Sequence, residues 1–113
     1  MITVNIYRQK DGLIRRFEAR GHAGLAASGH DIICAAVSAI AQTIIGSLED
    51  IAGIKPQYSL EDGDISCDTG EYTAMTDKQK DAASVLMQSM EVGCLQISVS
   101  YGSKYVQVKK YKL

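Results

Sequence analysis

The sequence has no surplus of charge of either sign: 12 Lys and Arg residues stand against 13 Asp and Glu, a net charge of -1. A chain that binds nucleic acid by releasing counterions from phosphates needs a basic excess, so nucleic acid is not expected as a primary ligand. The one basic concentration, Lys104, Lys109, Lys110 and Lys112, reads as lysines that keep an exposed edge strand soluble. Cysteine is sparse as well. Cys34, Cys67 and Cys94 make an odd count with no close pair, which excludes a disulfide framework and the CxxC spacing of a zinc site. Such usage suits a reducing cytoplasm, and no metal or other cofactor is implied. Long apolar runs are also missing. The longest, Ile32 to Ile45, is interrupted by Ser38 and Gln42 and falls short of the roughly 20 residues that cross a bilayer. It reads as a buried helix, with no membrane partner. The N-terminus alternates from Ile2 to Tyr7 and then meets Arg8 and Lys10, without the apolar core or cleavage site of a secretory leader. A cytoplasmic location is therefore expected. No repeat or low-complexity tract is visible.

What is present fits one ordinary globular domain spanning residues 1–113, with 46% hydrophobic and 22% charged residues. Ile2, Val4 and Ile6 alternate with Thr3, Asn5 and Tyr7, a period of two that predicts a strand with one buried face. Asp11-Gly12 predicts a type I′ hairpin turn, returning the chain as a second strand over Leu13 to Arg20 with Leu13, Phe17 and Ala19 on one side. Gly21 to Gly29 is a run of small residues and reads as a mobile loop. Asp31 then precedes a helical stripe of Ile33, Val37, Ile40, Ile44, Leu48 and Ile51, so it is the expected N-cap. Gly53 and Pro56 end that helix.

Tyr58 and Leu60, the turn Glu61-Asp62-Gly63-Asp64, and Ile65 with Cys67 predict a second hairpin whose apolar residues enter the core. Thr76 to Gln79 matches a capping box, followed by a helix with Ala82, Val85, Leu86, Ser89 and Met90 as its stripe, ending near Gly93. Leu95, Ile97, Val99 and Tyr101 alternate, Gly102-Ser103 turns, and Tyr105 to Tyr111 alternates again, predicting a last hairpin. The expected fold is α+β: a two-layer α/β sandwich in the order ββαββαββ, with two helices on one face of a mainly antiparallel sheet of about six strands.

The chemistry concentrates between residues 21 and 39. With Asp31 as cap, Cys34 falls in the first turn of the helix, where unpaired amide groups and the positive end of the dipole favour thiolate over thiol. His22 leaves the second strand, and the intervening loop is long enough to fold the imidazole over the helix start. A Cys/His pair that takes a thiol proton and later protonates a leaving amine is thus permitted. The same amides could hold an oxyanion. The alternative, Cys34 as a packed small hydrophobe, stays open on these residues alone. Cys67 and Cys94 read as inert core thiols. Ser38 lies one turn beyond Cys34 and either joins the site or bonds back to the Cys34 carbonyl. His30 reads as a solvent-facing bystander. Asp31 is primarily a cap, with orientation of His22 as a further possible role.

Gly-His-Ala-Gly at Gly21 to Gly24, then Gly-x-Asp-Ile-Ile-Cys-Ala-Ala-Val-Ser-Ala at Gly29 to Ala39, resembles the bacterial ribosomal-processing cysteine protease family Prp. The resemblance implies a protease that removes the N-terminal extension of large-subunit ribosomal protein twenty-seven before ribosome assembly. It implies Cys34 as nucleophile and His22 as general base and acid; Ser38 also matches a family position. It further implies a homodimer with a flexible loop, here carrying Gly21, Gly24 and Gly29, that gates the substrate peptide. Two readings of another class stand beside it: a non-enzymatic ribosome-assembly factor that pairs a strand edge with an extended peptide, and a thiol redox or acyl-carrier protein, which would want a resolving cysteine nearby.

Overall fold

The computed structural model describes residues 1–22 and 32–113. Along the chain it forms β1 (Ile2–Arg8), β2 (Ile14–Gly21), α1 (Ile32–Asp50), β3 (Gln57–Glu61), β4 (Asp64–Asp68), a short 3-10 turn (Tyr72–Ala74), α2 (Asp77–Tyr101) and β5 (Val106–Lys112). The fold is α+β, with both helices packed through one core against the sheet. Among the described residues the sheet has five strands, in the order β3-β4-β2-β1-β5. Three ladders are antiparallel, while β5 runs parallel to β1.

β1 buries Ile2, Val4 and Ile6, as alternation predicts, and β2 returns against it. The turn between them departs from type I′. Gly12 has a φ of 90° but Asp11 keeps a negative one, and the Asp11 carboxylate accepts the Leu13 N–H at 3.0 Å. The ladder also shifts register between Tyr7 and Arg8. Ile14 therefore joins Phe17 and Ala19 in the core, and Leu13 is only half-buried. On the opposite face of β2, Glu18 is buried among donors: Tyr7 Oη at 2.8 Å and the guanidinium groups of Arg16 and Arg20, each at 2.9 Å. Burial pushes its carboxyl up, but the bonds from Arg16, Tyr7 and Asn5 and the charge of Arg20 together hold it below its ordinary value.

α1 buries Ile33, Val37, Ala41, Ile44, Ile45 and Leu48. By length and composition alone it could cross a membrane, longer than the apolar run in the sequence suggests; in this fold that face packs on α2, β2 and β4. Ile51, expected on the stripe, lies beyond the helix and is 73% exposed. The reason is local: the Ile51 and Ala52 amides both donate to the Ser47 carbonyl, and Gly53 then turns the chain at φ 71°. The hairpin β3–β4 buries Ile65 and Cys67 but leaves Tyr58 47% and Leu60 48% exposed, against expectation. β3 is the sheet edge, away from the strands on which the helices mainly pack.

The largest correction concerns Leu95 to Tyr101, predicted as a strand and found as the last two turns of α2. The helix starts at the predicted capping box: Thr76 Oγ1 accepts the Gln79 N–H at 3.1 Å, and Gln79 Oε1 accepts the Thr76 N–H at 3.0 Å. Its buried residues are Ala83, Met87, Met90, Cys94 and Ile97, spaced four, three, four and three, a helical period that continues straight through Gly93. Val85, expected inside, is exposed. Gly93 is not a terminator. A Cβ there would lie 2.9 Å from Ile40 Cδ1, so its bare backbone is where the two helices cross closely. The chain ends the helix at Gly102 instead, with φ 111°. Because a helix, not a hairpin, leads into β5, that strand can join β1 in parallel.

Candidate active site

Three segments converge at one end of the sheet. The first is the end of β2, where Gly21 has φ 98°; a side chain there would run into the Met1 carbonyl. The structure thus makes Gly21 the last residue of a paired strand rather than part of the expected loop. The second is the β3–β4 turn, where Gly63 has φ 72° and its carbonyl accepts the Gly21 N–H at 2.9 Å. The third is the first turn of α1, whose third residue is Cys34.

His22 follows Gly21, and its carbonyl accepts the Met1 amino group. Its imidazole lies across the Gly63 backbone and turns Nδ1 toward Cys34, with Nδ1 and Sγ 3.9 Å apart. Cys34 is half-buried, its other side packed on the core, and so is not an enclosed thiol. The amide groups in the opening turn of a helix have no partner within the helix and carry its positive end. A thiol, an imidazole and an anion-favouring helix end therefore share one corner, the combination acyl transfer through sulfur needs.

That corner opens on a small cavity floored by Ile2, Ala19, Val37 and Ile65 and rimmed by Asp62, Gly63 and Asp64. Ser38 lines it too, one turn below Cys34. A wider groove of about 250 Å³ continues from Ser38 along Gln42 on one side and Leu60 on the other. The rim is braced by Arg20, whose Nε lies 3.2 Å from Asp64 Oδ1 while its terminal nitrogen reaches Glu18.

The sequence-predicted Cys34, His22 and Ser38 are brought together here. Asp31, the expected cap, lies outside the described residues, as do Gly24, Gly29 and His30. By its sequence Gly63 is a turn residue only; its contact with His22 joins positions far apart in the chain, which no local pattern announces. Cys67 and Cys94 are fully buried, and burial pushes both thiols up to about 12. Among the described residues no three His, Cys, Asp or Glu side chains converge where a metal ion could be held.

Comparison with known proteins shows what the chain as a whole is similar to. Residues 1–107 match the family model described as cysteine protease Prp. The ribosomal processing cysteine protease Prp of Staphylococcus aureus is 32% identical over 104 residues, covering 89% of this chain and 92% of that protein. The Bacillus subtilis protein of that name is 38% identical over 64 residues, 56% of this chain and 57% of that one. In three dimensions the chain is similar to the S. aureus Prp solved with a covalently linked product peptide, at 25% identity and a TM-score of 0.81, covering 97% of this chain and 99% of that one.

Proposed function

The chain belongs to the cysteine protease Prp family and is a ribosomal-processing cysteine protease, a peptide hydrolase; from this premise we propose that Cys34 is its nucleophile and His22 its general base and acid. The single observation that carries the assignment is the approach of Cys34 Sγ to His22 Nδ1 at 3.9 Å at the amino end of α1. Catalytic hydrogen bonds are commonly long in a free enzyme and tighten around substrate.

In this reading His22 takes the Cys34 proton and Sγ attacks the scissile carbonyl carbon. The C–S bond forms, and negative charge moves to the carbonyl oxygen, facing the first-turn amides of α1. His22 then delivers its proton to the departing amine, the C–N bond breaks, and a thioester remains on Cys34. Water, deprotonated by His22, attacks the thioester and releases the second product with the thiol restored. The covalently linked product peptide on the S. aureus relative supports a covalent route here. Ser38 sits on the wall that the substrate would touch. We assign the groove past Gln42 and Leu60 to the extended substrate peptide.

The substrate we assign is the N-terminal extension of large-subunit ribosomal protein twenty-seven, cut in the cytoplasm before assembly. We include homodimerisation in the same reading. Val92, Leu95 and Val99, spaced three and four along α2, are exposed on one stripe, Val99 to 86%, and such a stripe is suited to a second copy.

The test is cleavage of the host's own precursor protein, read by fragment mass. Wild type should cut a single bond at the extension junction. Cys34→Ala should lose at least about 10⁴-fold in turnover while still binding the precursor, and His22→Ala should lose about 10²-fold or more. Full turnover by Cys34→Ala would end the assignment.

A further inference from the structure

We propose that Gly63 is a positioning residue for His22: the missing side chain at the β3–β4 turn lets the imidazole lie close enough to serve Cys34. This inference rests on the reading that His22 and Cys34 work as a pair. The contact is unusually close. A Cβ at position 63 would lie 2.7 Å from His22 Nε2, 3.2 Å from Cε1 and 3.4 Å from Cδ2. Since the ring's other nitrogen faces Sγ, the imidazole is sandwiched between the turn backbone and the nucleophile.

His22 cannot simply back away from such a Cβ. Its preceding residue, Gly21, is bonded to the Gly63 carbonyl at 2.9 Å, and its own carbonyl is held by the Met1 amino group. With the backbone fixed on both sides, the ring's escape is rotation about its side-chain torsions. The first torsion occupies wells about 120° apart, so leaving the present one carries the ring away from Sγ; the second is broad and roughly two-fold, so turning about it re-aims Nδ1.

The simpler account is that Gly63 only satisfies the turn, because its φ of 72° lies in the region that favours glycine. The other Asp-Gly turn separates the two accounts. Gly12 has a φ of 90° with nothing within 4 Å of its hypothetical Cβ. Turn geometry is the whole explanation there, whereas at Gly63 the same geometry is joined to a ring contact. Asparagine makes the distinction experimental: it adopts positive φ with little strain, yet it carries a Cβ.

The experiment uses Gly63→Asn and Gly63→Ala, each alone and combined with His22→Ala. Readouts are kcat and KM on the precursor, the rate of Cys34 alkylation by iodoacetamide near neutral pH, and melting temperature. Gly63→Asn should stay folded and lose about 10 to 100-fold in kcat, part of the general acid–base contribution, with KM within twofold of wild type. Its alkylation rate should fall toward that of His22→Ala. In the His22→Ala background the Gly63 substitution should change neither kcat nor alkylation, because the residue acts through the ring. Wild-type kcat and alkylation in Gly63→Asn would overturn the proposal, as would an equal further loss in the His22→Ala background. Failure of the wild type to cut the precursor would strike the substrate assignment instead, since alkylation reads the pair without any substrate.

Discussion

The two Asp-Gly turns, Asp11-Gly12 and Asp62-Gly63, are the same dipeptide in the same kind of place, and the protein uses them differently. The first closes on itself. Gly12 donates to the Gln9 carbonyl at 3.0 Å, Gln9 to the Leu13 carbonyl at 2.9 Å, and the Leu13 amide holds the Asp11 carboxyl below its ordinary value. The second closes on other parts of the chain, through the Gly21 amide and the His22 ring. A glycine that a turn requires for conformation can thus also be required for contact. Only the surroundings tell the two apart. The contrast extends to the ends of the molecule: the Asp62-Gly63 end carries the thiol, imidazole and cavity, and the Asp11-Gly12 end is held by packing, hydrogen bonds and the ion pairs of Arg15 with Asp68 and Glu71.

Three measurements test that division. The largest effect is expected from the thiols. In the native protein Cys34, at the site end, should be alkylated on the order of 10³-fold faster than Cys67 or Cys94, which react only when the core opens. Peptide mapping after timed labelling checks this, and unfolding should erase the difference; comparable native rates would remove the basis for treating Cys34 as special. Next comes the opposite end. Tyr72 is buried and its hydroxyl donates to the Ile14 carbonyl at 2.7 Å, so Tyr72→Phe should cost about 0.5 to 1.5 kcal/mol of stability through loss of that bond. Turnover at a temperature where the variant stays folded should be unchanged, and a lowered kcat would show that the two ends are coupled. Last comes Gly12→Ala, expected to cost about 1 kcal/mol for its positive φ with no change in kcat or alkylation. An activity loss there matching that of Gly63→Ala would collapse the comparison.

Much of this was legible without coordinates, and the failures have physical causes. β1 and the first half of each helix are announced by local signals: alternation of Ile2, Val4 and Ile6, the stripe from Ile33 to Leu48, the Thr76/Gln79 box. Residues 95 to 101 misled because every second side chain is apolar there, which mimics a strand. The helical period through Met90, Cys94 and Ile97 was the truer signal, hidden by reading Gly93 as a stop. Tyr58 and Leu60 alternate properly, yet exposure depends on how far the helices reach across the sheet, which is a tertiary matter. At the site, Cys34 and His22 could be proposed because helix-start position and a glycine-flanked histidine are local features. Gly63 could not, since its neighbour is supplied by folding.

The crossing at Gly93 and Ile40 bears on the nucleophile in a way its distance conceals. Ile40 lies six residues past Cys34 on the same rod, which at about 1.5 Å per residue is some 9 Å of lever arm. Bulk placed at Gly93 would meet the Ile40 side chain first, and whatever displacement that side chain does not absorb by turning aside is passed to α1 and so to the sulfur. A glycine that touches no reacting atom is thereby tied to the placement of the thiol through the rod that carries it.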